Sequence, residues 1–173
     1  IMNIDSLLKD TGLFWQYPVI TELEFYRQNK GDVNYFPFPW ATVIDKNVNQ
    51  QQLLKILKAV IPANKNYYTC CQHIGYHKLV NLWSLLGIGT VYTPHKCLGR
   101  DKMGSIKFIA CPLYAVNIED ITRNKIFENK DYLSMDRKIL YSFIGGVESC
   151  YISDIRNNIF KIKHNNTNTR IIH

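Results

Sequence analysis

Apolar and polar positions along this chain change period several times, and each change marks an element. From Asn49 to Val60 the apolar residues Leu53, Leu54, Ile56, Leu57 and Val60 recur at helical spacing, with Gln50, Gln51, Gln52, Lys55 and Lys58 on the other face. That pattern predicts an amphipathic helix stopped near Pro62. Tyr67–Cys71 is a run of β-formers and predicts a strand, and Leu79–Leu86 predicts a second helix ending near Gly87 and Gly89. Thr90–Thr93 and Ile106–Cys111 predict two more strands, separated by a basic loop through Lys96, Arg100 and Lys102. Upstream, the aromatic stretch Asn34–Trp40 is punctuated by Pro37 and Pro39, which disfavour a central ladder position, and runs into an expected strand Ala41–Ile44 ending at Asp45.

Strands alternating with helices imply a parallel sheet covered by helices. Residues 1–30, with short helical pieces at Ser6–Asp10 and Thr21–Phe25 around Pro18, read as an extension packed on that sheet, and residues 31–116 as the sheet domain itself. Residues 117–136 are polar and charged and form the expected linker. Beyond it, Leu140, Phe143 and Ile144 give a short apolar strand, Gly145 and Gly146 permit a tight turn, and Ser153 or Asp154 is placed to cap a helix carrying Arg156 in its first turn. Thr169–His173 is the expected second strand of this unit, 137–173. Strand, glycine turn and basic helix is an arrangement that offers N–H groups and a guanidinium to a phosphate.

Bulk properties narrow the classes. At 173 residues the chain can form one ordinary domain, or one domain plus the beginning of another. With 46% hydrophobic and 20% charged residues it has material for a core, which excludes general disorder. The formal charge of +7 favours an anionic partner: nucleic acid, acidic membrane, acidic polysaccharide or nucleotide diphosphate. The basic residues are scattered without a run of five or six, which argues against a nucleic-acid tail. Five cysteines without CxxC spacing point to reduced, buried thiols rather than a disulfide frame or zinc site. No stretch approaches ~20 apolar residues and no basic region precedes an apolar leader, so a soluble chain in a reducing compartment is the expectation.

A parallel sheet delivers the residues just past its strand ends to one edge, where ligands bind. Here those are Asp45, Gln72 and His73, Pro94 and His95, and Pro112 to Tyr114. Asp45, His73 and His95 are the candidates for a general base; a strand-end His or Asp that merely bonds a turn is the competing role. His73 and His77 stand four residues apart but lack a third ligand nearby, so no metal site is expected. Cys70 and Cys71 sit inside a β-prone run, where buried thiols are usual. The aromatic cluster Tyr35, Phe36, Phe38 and Trp40 suits either core or a platform for a sugar ring.

The segment Arg137-Lys-Ile-Leu-Tyr-Ser-Phe-Ile-Gly-Gly146, followed by Ser153-Asp-Ile-Arg-Asn-Asn-Ile-Phe160, resembles the opening of the second domain of the exostosin family of glycosyltransferases. The resemblance implies a GT-B architecture. In it a Rossmann-like parallel sheet with helices on both faces forms the acceptor-side half, followed by the first strand-helix-strand of a second, donor-binding Rossmann-like domain. It implies transfer of a sugar from a nucleotide-sugar, UDP-sugar foremost, to a glycan or polysaccharide hydroxyl, with inversion and without an essential metal. Arg156 and Arg137, with Gly145, Gly146 and Ser153, would then lie at the donor diphosphate, while Asp45, His73 or His95 would take the acceptor proton. The family's later nucleotide-gripping residues have no counterpart before His173, which raises a partner chain completing the donor domain. Two other readings stay open: a non-catalytic glycan- or partner-binding module derived from such an enzyme, and a basic nucleic-acid-binding protein.

Overall fold

The computed structural model describes residues 4–62, 66–116, 131, 134–147, 153–165 and 167–172. The chain divides into two compact units, Ile1–Arg123 and Asn124–His173. Most of the linker expected over 117–136 lies outside the described residues.

The first unit opens with α1 (Ile4–Thr11), α2 (Thr21–Asn29), α3 (Trp40–Asp45) and α4 (Gln50–Val60). There follow β1 (Tyr67–Cys70), a 3₁₀ turn (Tyr76–Leu79), α5 (Val80–Leu85), β2 (Ile88–Thr93), β3 (Lys102–Met103) and β4 (Ile106–Ala110). The four strands form one sheet in the order β1-β2-β4-β3. β1, β2 and β4 run parallel, and the short β3 pairs antiparallel with β4. The unit is therefore mixed α/β with a mostly parallel sheet. The basic loop expected between β2 and β4 holds β3 and no helix, so this crossover does not repeat the helical one between β1 and β2.

Side chains alternate across the sheet, and the two sides receive different helices. Thr69, Val91 and Phe108 lie on one side, in register across β1, β2 and β4. There the Trp40 indole donates to Thr69 Oγ1 at 2.7 Å, and Trp83 of α5 meets both Trp40 and Phe108. Tyr68 and Tyr92 occupy the other side, where Phe25 of α2 packs on both rings. Trp40, Trp83, Leu57 and Val91 are completely buried between these layers. The register skips one residue between Tyr67 and Tyr68, whose partners are Ile88 and Thr90, and Gly89 is the extra residue. A Cβ at Gly89 would meet the end of the Asn66 side chain, which would have to turn aside.

One expected strand is a helix. Thr42, Val43 and Ile44 are β-branched, yet Trp40–Asp45 is helical because tertiary contacts outweigh local preference. The helical turn puts Trp40, Ala41, Thr42 and Val43 all in the interior, and the Ala41 N–H donates to the buried Glu22 carboxylate at 3.0 Å. The strand-like edge is taken by the preceding residues instead: Phe36 N–H donates to Tyr68 O and Tyr68 N–H to Asn34 O. The aromatic cluster is core rather than a sugar platform, with Phe36, Phe38 and Trp40 all at most 2% exposed. Among the described residues no helix is long and apolar enough to cross a membrane.

The second unit contains β5 (Tyr141–Ile144), α6 (Ile155–Lys161) and β6 (Thr169–Ile172), with β5 and β6 parallel and in register from Tyr141 opposite Thr169 to Ile144 opposite Ile172. Phe143 packs on Phe160 of α6, and the Tyr141 hydroxyl bonds His164 Nδ1 at 2.8 Å. Ile144 and Ile172 point to the other side of this two-stranded sheet and are exposed, as is Leu140 just before β5. Residues 148–152 of the connection from β5 to α6 lie outside the described residues.

Candidate functional site

Three of the residues singled out from the sequence meet at the C-terminal edge of the first unit's sheet. His73 follows β1, His95 follows β2, and Asp45 ends α3 rather than a strand. His73 Nε2 lies 2.9 Å from Asp45 Oδ1. The other ring nitrogen, Nδ1, accepts the Gly75 N–H at 2.8 Å, which requires a lone pair there and places the proton of the neutral ring on Nε2, facing Asp45. Both nitrogens of His73 are thus engaged.

Asp45 is held in turn. Its second oxygen, Oδ2, accepts a hydrogen bond from Gln16 Nε2, and Gln16 Oε1 accepts from Gln72 Nε2 at 3.2 Å. Gln72 is buried and central: its amide nitrogen also donates to Val19 O, its Oε1 accepts the Glu22 N–H at 3.0 Å, and its backbone N–H donates to Glu22 Oε1 at 3.1 Å. A continuous chain of hydrogen bonds therefore runs from Glu22 through Gln72, Gln16 and Asp45 to His73. It fastens the N-terminal segment between α1 and α2 to the strand ends.

Glu22 is the least expected member. It lies 1% exposed in the first turn of α2, and burial pushes its carboxyl up to about 8 against two backbone N–H bonds, from Gln72 and Ala41, that pull it down. Oε2 is buried and has no hydrogen-bond partner among the described residues. Near neutral pH this carboxyl is largely protonated. Nothing in the spacing of Thr21–Phe25 announces it, because its role depends on Gln72 and Ala41 arriving from distant elements.

His95 differs from His73. Partial burial pulls its imidazole below the ordinary range, opposed by the Gln72 backbone carbonyl beside the ring, with His73 adding a further lowering. His95 is thus neutral near pH 7 and able to accept a proton. The His95 backbone N–H is anchored on Thr93 Oγ1 at 3.2 Å. Tyr114 is held by its backbone, which bonds Ile20 and Thr21.

The cysteines are poor nucleophiles at the β1 end. Cys71 is fully buried and burial raises its thiol, while Cys70 is raised chiefly by a hydrogen bond to Cys111, whose own thiol the same bond lowers. His77 sits in the 3₁₀ turn and is lowered by burial, Lys78 and Arg100. Among the described residues no group of three or more His, Cys, Asp and Glu side chains is arranged to hold a metal.

In the second unit Arg156 Nη1 donates to Gly146 O at 3.0 Å, and its guanidinium stands 5.9 Å from the centre of the Phe143 ring. Gly145 donates its N–H to Ile172 O, and a Cβ there would stand 3.1 Å from Phe143 and 3.3 Å from Arg156 Nη1. Neither glycine adopts positive φ, so the need at Gly145 is room for the neighbouring side chains, not a special backbone turn. Asp154 occupies the N-cap of α6 without a side-chain capping bond, and Ser153 is exposed outside the helix. The expected side-chain cap is therefore absent. Arg137 is exposed ahead of β5.

No family model matches this chain, and neither does any curated protein or solved structure.

Proposed function

We propose that the chain is part of an inverting, exostosin-like glycosyltransferase with Rossmann-like units. In this reading the first unit activates the acceptor hydroxyl, and the second holds the diphosphate of a nucleotide-sugar, UDP-sugar foremost. The observation that carries the reading is the division of labour between the two histidines. His73 is tied at both ring nitrogens to Asp45 and Gly75, while His95 is kept neutral with a lone pair to offer. His95 accepts the proton of the acceptor hydroxyl as its oxygen bonds the anomeric carbon and the bond to the diphosphate oxygen breaks, the nucleotide leaving with the electron pair. Asp45 and His73 position the edge around it.

On the donor side, the motif resemblance assigns Arg156 and Arg137 to the diphosphate. In support, Arg156 keeps its guanidinium at the β5–α6 connection by bonding Gly146 O. The direct test is calorimetric titration with UDP, GDP and their sugar conjugates, followed by a transfer assay against polysaccharide acceptors. Saturable binding of one sugar nucleotide that weakens about tenfold in Arg156→Ala, with turnover lost in His95→Gln but binding kept, supports the proposal. Absence of binding to every sugar nucleotide overturns it.

A specific observation favours a second reading, a partner-binding module. Ile144 of the β5–β6 sheet is 71% exposed and Leu140, just before β5, is 68% exposed, although parallel sheets are ordinarily covered on both faces. Co-purification of a partner that protects these residues from solvent, together with failure to bind sugar nucleotides, would favour it.

A further inference from the structure

A cavity of about 370 Å³ opens in the first unit beside Tyr67, the first residue of β1 and thus at the far end of that strand from Gln72 and His73. Its lining residues include Tyr26, Tyr35, Phe36 and Tyr67 and the prolines Pro37 and Pro62. A volume in the few-hundred Å³ range with mostly apolar walls and a few polar groups is what small-molecule sites have. The walls are well fixed. The segment carrying Tyr35 and Phe36 is hydrogen-bonded to β1 through Tyr68, Phe36 and Tyr67 meet edge to face, and Tyr26 stacks on Trp15 at 5.7 Å.

Two charged residues, Lys30 and Asp32, border the cavity, and they are in different states. The carboxylate of Asp32 is already occupied: Oδ1 accepts the Asn34 N–H at 2.8 Å and Oδ2 the Tyr68 hydroxyl at 2.7 Å. Lys30 closes α2 and, among the described residues, makes no hydrogen bond or ion pair. Asp32 keeps its negative charge but has both oxygens engaged by neutral donors, so the polar group left for a ligand is the Lys30 ammonium, set at the margin of an aromatic and proline-lined space. Flat rings stack on such walls with little loss of entropy, and an ammonium group pairs with a carboxylate by a charge-assisted hydrogen bond.

We propose that this cavity is a binding site for a small planar aromatic carboxylate, its ring system between the tyrosine and proline walls and its carboxylate on Lys30. The site shares no residue with the Asp45, His73 and His95 cluster and stands independently of the transferase reading.

The test is titration of the chain with 2-naphthoate and its neutral isostere 2-naphthamide, followed by calorimetry and by amide shifts of Gly31 to Val33 and Tyr67. Two variants at exposed positions, Lys30→Met and Val33→Trp, leave the core intact, which circular dichroism verifies. Expected are one saturable site for 2-naphthoate about tenfold tighter than for the amide, loss of that preference in Lys30→Met, and weakening of both ligands in Val33→Trp, which crowds the cavity. The proposal is overturned by absence of saturable binding, by equal affinity for acid and amide, by a preference that survives Lys30→Met, or by binding that Val33→Trp leaves unchanged.

Discussion

His73 and Asp45 face each other at 2.9 Å, and the same imidazole is pinned from behind by the Gly75 N–H. A ring bonded at both nitrogens orients its neighbours better than it exchanges protons, which is why the base proposed on this edge is His95. His95→Gln is expected to lower turnover in a sugar-transfer assay by about 10²- to 10⁴-fold, the usual worth of a positioned base. Asp45→Asn is expected to lower it less. Because Asp45 is half exposed, its loss changes stability by less than about 1 kcal/mol in a urea melt. His95 must be neutral to act, and burial holds it below the ordinary histidine range. The acid limb of the kcat/KM profile therefore falls below pH ~6.5. Equal losses in both variants, or an acid limb above that value, would contradict this assignment.

Glu22 makes stability depend on pH in the sense opposite to ordinary acid denaturation. Its carboxyl titrates near 4.5 when unfolded and at about 8 when folded, so between those values the folded chain holds a proton that the unfolded chain has lost. Stability contributed by the protonated group is complete below about pH 4.5, declines as pH rises to 8, and is gone above it. A shift of this size corresponds to a loss on the order of 4 kcal/mol across the window. Glu22→Gln preserves the acceptor oxygen for Ala41 and Gln72 and removes the titration. Urea melts at pH 5 and pH 8.5 are expected to show a steep decline in the parent chain and a shallower one in Glu22→Gln; parallel declines would refute the account. Glu22→Ala, which strands two buried N–H groups, is expected to destabilise at both pH values.

Trp40 joins helix α3 to the sheet through its indole bond to Thr69 Oγ1, which itself donates to Phe36 O at 2.6 Å. Trp40→Phe keeps most of the ring volume and leaves Thr69 with a partner, so it is expected to cost about 1–2 kcal/mol. Trp40→Ala also opens a cavity between α3 and α5 and is expected to cost about 3–5 kcal/mol. Thermal or urea unfolding of the two variants gives the comparison directly.

The amphipathic helix α4, the strands β1, β2 and β4 and the strand-helix-strand of the second unit were all legible in the sequence, the helix α4 by its periodicity and the others by local runs of β-formers or apolar residues and by turn and cap residues. Helix α3 was not. Its Thr42-Val43-Ile44 run favours a strand locally, and only the burial of Trp40 and the Glu22 carboxylate waiting for the Ala41 N–H make it a helix. Asp45 came under suspicion as a strand end and is delivered to His73 by that helix instead. The small antiparallel strand β3 is too short to leave a periodic trace, and Lys102 and Met103 read simply as loop. Glu22, Gln72 and Gln16 show why a site is harder to read than a fold: their bonds join residues about 50 positions apart, and no local pattern records such a pairing.

The two sides of the β5–β6 sheet lead to the last expectation. Phe143 and Ile144 are adjacent in sequence, but Phe143 is half-buried against Phe160 and beneath the Arg156 guanidinium, whereas Ile144 is 71% exposed. Truncating a side chain costs stability only in proportion to the contacts it gives up. Phe143→Ala is therefore expected to destabilise the second unit by about 2 kcal/mol and Ile144→Ala by less than about 0.5 kcal/mol. Amide hydrogen exchange along Tyr141 to Ile144 reads this unit separately from the rest of the chain. Comparable losses of protection in the two variants would mean that the Ile144 side of the sheet is covered in solution, which would identify that side as a contact surface.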